Sequence, residues 1–338
     1  MALQTIWFIL WGILWAVYFM LDGYDFGAGM LNPFLGRDEK EKRAIVRTIG
    51  PVWNGNEVWL ITAGGATFAA FPAAYALMFS YLYLPLLFIL FALIFRGVAL
   101  EFRGKIDLPG WKKICDACLF IGSCVPSLLF GVAFGNIFQG LPFDASGYHG
   151  NLLTLLNPYG IISGVLFVFL FLLHGSIFIA MKTSGDLRDR AAKTASTLWA
   201  GLLVVVAVFL PATYFQTDLY LNYFNHASLF IIPAIALLAL ISVRVYLSKT
   251  RYAASFFSSC VTVLSLVLFG IAGLYPHLIP SNLDPNYSLT IVNASSSSYT
   301  LTIMTAVAVI FVPVVIGYQI WVQRIFSGVV DGKDTDGY

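Results

Sequence analysis

Apolar stretches of about twenty residues recur along this chain, and short polar segments separate them. A helix of about 20 residues crosses the hydrocarbon core of a bilayer, which is about 30 Å thick. Nine stretches reach this length, at residues 5–31, 51–71, 75–96, 114–138, 158–181, 195–215, 228–246, 252–275 and 299–323. Only a few residues around Pro72 separate the second stretch from the third. The pattern predicts an all-α integral membrane protein with nine transmembrane helices.

The positive charges test this arrangement, because lysine and arginine concentrate on the cytoplasmic side of membrane proteins. All 19 of them lie in alternate connections or at the helix ends beside those connections: Arg37, Lys40, Lys42, Arg43, Arg47, Arg96, Arg103, Lys105, Lys112, Lys113, Lys182, Arg188, Arg190, Lys193, Arg244, Lys249, Arg251, Arg324 and Lys333. The intervening connections, 139–157, 216–227 and 276–298, contain none. We therefore predict that the N-terminus lies outside the cell and the C-terminus in the cytoplasm.

Composition supports a membrane protein rather than a soluble one. The chain is 59% apolar and 11% charged, whereas soluble domains average about 45–50% apolar and about 25% charged. Lipid can solvate this excess of apolar surface, which water cannot. No soluble domain or long linker interrupts the sequence, so we expect a single polytopic membrane domain over residues 1–338.

Five acidic residues lie within or at the ends of the predicted spans. Asp22 and Asp25 share one helical face of the first span, Glu57 lies in the second, and Glu101 and Asp116 lie at the inner ends of the third and fourth. A carboxylate at the middle of a membrane helix costs about 2.5–3.5 kcal/mol, so such groups are candidates for function. One interpretation is a relay that takes protons from the cytoplasm. The other is that these acids cap helix ends or pair with Arg96 or Arg103.

Glycines surround the acidic residues of the first two spans. Glycine lets two membrane helices approach closely, because it has no side chain to separate them. We expect this packing role at Gly23, Gly27, Gly29, Gly55, Gly64 and Gly65.

Candidate ligands for haem or a metal ion are few. Only His174 lies inside a span, and the other three histidines fall in outer connections. Haem needs axial ligands such as His or Met, so we expect this chain to bind no haem firmly and His174 to be a hydrogen-bonded packing residue. Cys115 and Cys118 have the spacing of a redox motif, but they open a membrane helix, which favours ordinary buried thiols.

Several long segments carry a resemblance to a known family. They are Leu21-Asp-Gly-Tyr-Asp-Phe-Gly-Ala-Gly-Met-Leu31, Gly50-Pro-Val-Trp-Asn-Gly-Asn-Glu-Val-Trp-Leu-Ile-Thr-Ala-Gly-Gly-Ala66, Phe95-Arg-Gly-Val-Ala-Leu-Glu-Phe-Arg103, Gly131-Val-Ala-Phe-Gly-Asn-Ile-Phe-Gln-Gly-Leu-Pro142, Leu156-Asn-Pro-Tyr-Gly160 and Asn293-Ala-Ser-Ser. These segments run in order from the first span to the last. The chain resembles subunit II of the bacterial cytochrome bd quinol oxidases.

The resemblance implies a fold and a function. Such complexes oxidise membrane quinol and reduce dioxygen to water in the bacterial cytoplasmic (inner) membrane. Subunit II has two four-helix bundles plus a peripheral helix and is not catalytic alone, whereas subunit I carries haems b and d. Some members hold a structural quinone in subunit II, and small single-span subunits join some complexes. We therefore expect subunit I, membrane lipid and quinone as partners, and no nucleic acid.

The resemblance also implies a proton route from the cytoplasm, which uses acids of Asp-Gly-x-Asp and Trp-Asp-Gly-Asn segments. Asp22 and Asp25 match the first segment. Asn54 stands where some relatives have the Asp of the second, and an amide cannot titrate. Glu57 lies one helical turn further on the same face, so we expect it to replace that acid.

Two other functions fit the same residues. A secondary transporter would also have bundled helices with intramembrane polar groups. A purely structural assembly partner would use the acids only to hold the helices together.

Overall fold

The computed structural model describes residues 2–330, so the predicted cytoplasmic Lys333 lies outside the described residues. Helices account for most of the described chain: α1 (Ala2–Leu35), α2 (Glu39–Ile49), α3 (Trp53–Ala70), α4 (Pro72–Tyr81), α5 (Tyr83–Phe102), α6 (Pro109–Gln139), α7 (Leu152–Leu155), α8 (Pro158–Lys182), α9 (Gly185–Gln216), α10 (Leu219–Asn225), α11 (Ile231–Ser248), α12 (Tyr252–Leu274) and α13 (Ser298–Ile325). Eight helical segments between residues 2 and 330 are long and apolar enough to cross a membrane. The predicted all-α membrane protein is confirmed in this form.

The second and third predicted spans differ most from the structure. The second corresponds to α3, an 18-residue helix that is not among the eight apolar segments and carries Asn54, Asn56 and Glu57 near its start. The third is divided at Leu82 into α4 and α5, and Pro85 lies in the first turn of α5, where a missing N–H is tolerated. Helix α5 continues to Phe102, so Arg96 lies inside this helix. The prediction that Arg96 lies at the end of the span, beside the following connection, was wrong.

The centre of the fold is formed by α1 and α8, which pack against each other and both pack against α6 and α12. The crossing of α1 and α8 depends on Gly27 and Gly175, because a Cβ atom at either glycine would overlap the backbone of the other helix. Gly23 and Gly29 also meet neighbouring side chains closely, as predicted. Gly64 and Gly65 do not, since no described atom lies within 4 Å of a Cβ built on either.

The contact between α6 and α8 uses two of the long sequence segments. A Cβ atom on Gly131 would overlap the carbonyl group of Ser163. Nearby, the Asn136 side chain donates to the Leu155 carbonyl oxygen at 2.7 Å and accepts from Asn157 Nδ2 at 2.8 Å. These residues therefore fix how the chain leaves α6 and enters α8.

Two short hairpins cover the predicted outer side. Strands β1 (Phe143–Asp144) and β2 (Gly147–Tyr148) pair antiparallel, as do β3 (His277–Ile279) and β4 (Leu289–Thr290). The segment after β4 caps the C-terminal end of α3. Ser296 donates from its backbone N–H to Ala70 O at 2.9 Å and from its hydroxyl to Ala69 O at 2.6 Å. The segment around Asn293 is thus part of a helix cap.

Helix α13 lies at the periphery, where it packs mainly against α1 and α3. Leu301 is the single buried residue among those described in this helix. Near the start of α13, Thr305 Oγ1 accepts from Trp7 Nε1 of α1 at 3.0 Å. At the end of α13, the Phe326 carbonyl oxygen accepts from Lys182 of α8. Specific hydrogen bonds therefore hold a helix that has little buried surface.

We predict that Gly27→Ala destabilises the protein by about 1–3 kcal/mol, because the added methyl group forces α1 away from α8. The measurement is the thermal unfolding temperature of the purified protein in mild detergent. Gly317→Ala is the matched control, since no described atom lies within 4 Å of a Cβ at that site on α13. Equal unfolding temperatures for the two variants would contradict the prediction.

Candidate functional site

Two aspartates of α1 meet an arginine of α5 inside the protein. Arg96 Nη2 lies 2.6 Å from Asp22 Oδ1, and Arg96 Nη1 lies 3.1 Å from Asp22 Oδ2. Asp25 Oδ2 lies 3.8 Å from Arg96 Nη2. All three residues are 0% exposed. The bidentate pair joins α1 to α5, and both aspartates share one guanidinium.

Close packing brings the arginine into this position. A Cβ atom on Gly122 of α6 would lie 2.6 Å from the carbonyl oxygen of Ala92, so only glycine lets α5 approach here. The Arg96 guanidinium lies 4.4 Å from the centre of the Phe26 ring, a cation–π distance. A buried charge is costly unless it is paired, so Arg96 requires its acidic neighbours.

A third carboxylate reaches the same guanidinium from α3. Glu57 Oε1 lies 3.4 Å from Arg96 Nη1, and the Glu57 side chain is 21% exposed. If all three acids were ionised, one positive charge would face three negative charges in a region of low dielectric constant. A proton bound within the cluster would offset part of this excess. Glu57 is the member of the cluster that reaches the protein surface.

An amide joins the cluster beside Glu57. Asn56 is fully buried, and its Nδ2 lies 2.7 Å from Asp25 Oδ2, 2.8 Å from the Tyr24 hydroxyl and 3.2 Å from the Leu21 carbonyl oxygen. The other oxygen of Asp25, Oδ1, is buried and has no hydrogen-bond partner among the described residues. One Asp25 oxygen is therefore held by an amide, and the other is available to a proton.

Two glutamines of α13 complete the site. Gln319 Nε2 donates to Asn56 Oδ1 at 3.2 Å, and Gln323 Nε2 donates to the Tyr24 hydroxyl at 3.0 Å. Sequence reasoning missed these two residues and Asn56. Two amides spaced i, i+4 on an otherwise apolar helix were the available signal, because such residues share a face that seeks polar partners.

Asp116 belongs to a second cluster, at the base of α6. It accepts from Arg103 Nε at 2.6 Å, from Lys42 Nζ at 3.0 Å and from Asn32 Nδ2 at 3.3 Å. Arg103 also binds Glu39 of α2, with Nη1 and Oε1 2.8 Å apart. Partial burial opposes ionisation of Glu39, but the hydrogen bonds from Arg103 outweigh it and hold the pKa of Glu39 below its ordinary value.

The predicted acids are thus brought together only in part. Asp22, Asp25 and Glu57 form one cluster. Asp116 lies in another, where it contacts Asn32, which is seven positions after Asp25 and so about 10 Å further along α1. The Glu101 side chain is partly exposed and forms no hydrogen bond or ion pair with any residue from 2 to 330.

His174 is a hydrogen-bonded packing residue, as predicted. Its Nδ1 lies 2.7 Å from Ser259 Oγ, and its Nε2 lies 3.0 Å from the Met20 carbonyl oxygen. The ring stacks on Phe256 with 4.9 Å between centroids. Both ring nitrogens are therefore engaged with neighbours on α1 and α12.

Cys115 and Cys118 carry free thiols, and Cys115 is buried. Within residues 2–330, no three His, Cys, Asp or Glu side chains are grouped so as to hold a metal ion. Cys115 and Cys118 therefore belong to no such group among the described residues.

Known proteins resemble this chain along almost its whole length. The sequence profile of the family described as cytochrome bd terminal oxidase subunit II matches residues 3–326. The cytochrome bd ubiquinol oxidase subunit 2 of Bacillus subtilis is 38% identical over 340 residues, which cover 100% of this chain and 99% of that protein. The cytochrome bd-I ubiquinol oxidase subunit 2 of Escherichia coli K12 is 35% identical over 369 residues, covering 99% and 97%.

A solved structure shares the fold. A chain of the bd oxidase from Geobacillus thermodenitrificans superposes with a TM-score of 0.76 at 19% identity, covering 96% of this chain and 99% of that chain. At this identity the likeness concerns the fold alone.

We predict that Arg96→Leu destabilises the protein by about 3–5 kcal/mol, because it leaves buried carboxylates without their cation. Adding Asp22→Asn to Arg96→Leu should recover part of this loss by removing one buried negative charge. The measurement is thermal unfolding in mild detergent.

Arg244→Leu is the matched control for this experiment. Arg244 also lies on an apolar helix, but it is exposed, and among the described residues it donates only to Ser196 Oγ, at 2.9 Å. Its replacement should change the stability by less than about 0.5 kcal/mol. Equal losses for Arg96→Leu and Arg244→Leu would argue against the central role of Arg96.

Proposed function

Because this chain belongs to the cytochrome bd terminal oxidase subunit II family, we propose that its buried carboxylates contribute to the uptake of the protons that the oxidase consumes. The chain is subunit II of a cytochrome bd-type quinol oxidase, a complex of the bacterial inner membrane that oxidises quinol and reduces dioxygen to water. Because the chain belongs to this family, the alternative function of a secondary transporter is rejected.

The partner of this chain is subunit I of the oxidase. The family resemblance implies that subunit I carries haems b and d. The use of both His174 ring nitrogens within this chain agrees with that placement. From the family resemblance we also propose that this chain holds a structural quinone and that a small single-span subunit joins the complex. The chain then acts as a support for subunit I and as part of its proton supply.

We propose that the single polytopic domain crosses the membrane nine times, with α3 as the second span and α4 with α5 as the third. The packing supports two four-helix bundles, since α1 packs against α3 and α6, and α6 against α5, while α8 packs against α9 and α12, and α12 against α11. Helix α13 is then the peripheral ninth span. The distribution of lysine and arginine supports an external N-terminus and a cytoplasmic C-terminus.

The single observation that carries the proton role is the excess of acids around Arg96. One guanidinium serves Asp22, Asp25 and Glu57. Asp22 holds the cation in a bidentate pair, so Asp25 and Glu57 are the members whose charge is least compensated. Asp25 is a buried carboxylate with one oxygen unpaired among the described residues, and Glu57 is a carboxylate at the surface. A proton relay needs both kinds of group.

Glu101 and Asp116 extend the proposed route toward the cytoplasm. Glu101 lies five residues after Arg96, or about 7.5 Å along α5, and has no ion pair among the described residues. Asp116 is held by two cations, so protonating it would disrupt two ion pairs. Glu101 is therefore better suited than Asp116 to carry protons.

Asn54, where some relatives have an acid, is exposed on α3, and its side chain forms no hydrogen bond with the described residues. Glu57, one turn further along, is the α3 residue that contacts Arg96. This geometry supports Glu57 as the replacement for the missing acid.

We predict that Glu57→Gln and Asp25→Asn each slow quinol-driven oxygen uptake by about tenfold or more, as expected when a titrating group is replaced by an amide. The measurement uses the complete oxidase, with haem content and subunit stoichiometry recorded for each variant. Both should match the unmodified complex.

Asp218→Asn is the matched control. Asp218 lies in the predicted outer connection, so this replacement should leave oxygen uptake unchanged. Normal oxygen uptake in Glu57→Gln would exclude the relay through Glu57. Normal uptake after joint replacement of Asp22, Asp25 and Glu57 by their amides would favour a purely structural subunit.

The topology gives a separate prediction. In a variant without native cysteines, Ser146→Cys should react with a membrane-impermeant maleimide in cells whose outer membrane is permeable. Lys249→Cys should react only after the inner membrane is opened. Both positions are exposed, so accessibility differs by side of the membrane alone. The reverse result would invert the proposed orientation.

A further inference from the structure

Helix α13 presents two polar side chains to the interior from an otherwise apolar stretch. Gln319 and Gln323 lie four residues apart, and both are half-buried, as is Val322 on the same face. Their neighbours Tyr318 and Trp321 are exposed. Both glutamines donate to residues of the site, at distances of 3.2 Å and 3.0 Å. A peripheral helix therefore supplies hydrogen-bond donors to a network built on α1 and α3.

The amide of Asn56 can satisfy its surroundings in one orientation only. The Leu21 carbonyl oxygen, 3.2 Å away, can only accept a hydrogen bond, so the amide nitrogen must face it. The same nitrogen then donates to Asp25 Oδ2 at 2.7 Å. The amide oxygen of Asn56 faces the opposite way and needs a donor, because buried polar atoms are costly when unpaired. Gln319 Nε2 is that donor.

We propose that Gln319 is a positioning residue for Asp25: by donating to Asn56 Oδ1, it keeps the Asn56 amide nitrogen directed at the carboxylate. This inference rests on the proposed proton role of Asp25. If the amide turned over, its oxygen would face the carboxylate, and two acceptors would repel each other. Gln319 thus controls how readily Asp25 exchanges a proton without contacting it.

Gln323 strengthens the arrangement from the next turn of α13. It donates to the Tyr24 hydroxyl, which in turn lies 2.8 Å from Asn56 Nδ2. Helix α13 therefore forms one wall of the site, although its buried surface is small.

The test compares two replacements of Gln319 in the complete oxidase. Gln319→Leu keeps the size of the side chain but removes the donor, and we expect maximal oxygen uptake to fall about fivefold, the effect of losing one neutral hydrogen bond. The KM for quinol and the haem content should stay unchanged. Gln319→Glu can donate only while its carboxyl group is protonated, so its activity relative to the unmodified oxidase should decline from mildly acidic to mildly alkaline pH.

Gln139→Leu is the matched control. Gln139 lies at the end of α6 and donates to Gln216 at 3.2 Å on the outer side, away from the cluster. Losing this amide should leave both activity and pH profile unchanged.

Asp25→Asn is measured in parallel to separate two kinds of failure. A slow Asp25→Asn together with a normal Gln319→Leu would overturn the role of Gln319 and leave the proton role of Asp25 intact. A fully active Asp25→Asn would overturn both. A Gln319→Glu variant that lost activity equally at every pH would also contradict the positioning role.

Discussion

The ion pair between Arg96 and Asp22 is the constraint on which the site depends. A guanidinium buried among apolar helices is stable only if anions compensate its charge, and Asp22 does so with two hydrogen bonds of 2.6 and 3.1 Å. The pair fixes the rotation of α1 and α5 about their axes, and the same rotation turns Asp25 inward. Gly122 of α6 is required because no larger residue would let α5 approach.

Arg96 was among the cationic partners that the sequence offered for the acids, but its position within a helix was predicted wrongly. Hydropathy located the helices well, because lipid imposes a length and an apolar composition on every span. It placed Arg96 at a helix end, because a cation inside a span is costly. The cost is met by three acids from two other helices, Asp22, Asp25 and Glu57, and a local pattern cannot show that they meet.

The glycines also show that a local sequence pattern identifies candidate residues but not their contacts in the folded protein. Gly27 and Gly64 both lie within predicted spans, but only Gly27 lies where another described helix crosses. The contacts of Gln319 were equally beyond prediction, since α13 follows α3 by more than two hundred residues. Composition identifies residues able to pack closely or to donate hydrogen bonds, and the arrangement of helices decides which of them do so.

Charge balance differs between the two acidic clusters. Around Asp116, the cations Arg103 and Lys42 match the acids Asp116 and Glu39, so ionisation satisfies every member and the cluster stabilises the contact of α2 with α6. Around Arg96, ionisation of every acid would leave two negative charges uncompensated. A cluster of this kind is not the most stable solution for holding helices together, since fewer acids would serve that purpose better. Its excess of carboxylates is explained if the site has to accept and release protons.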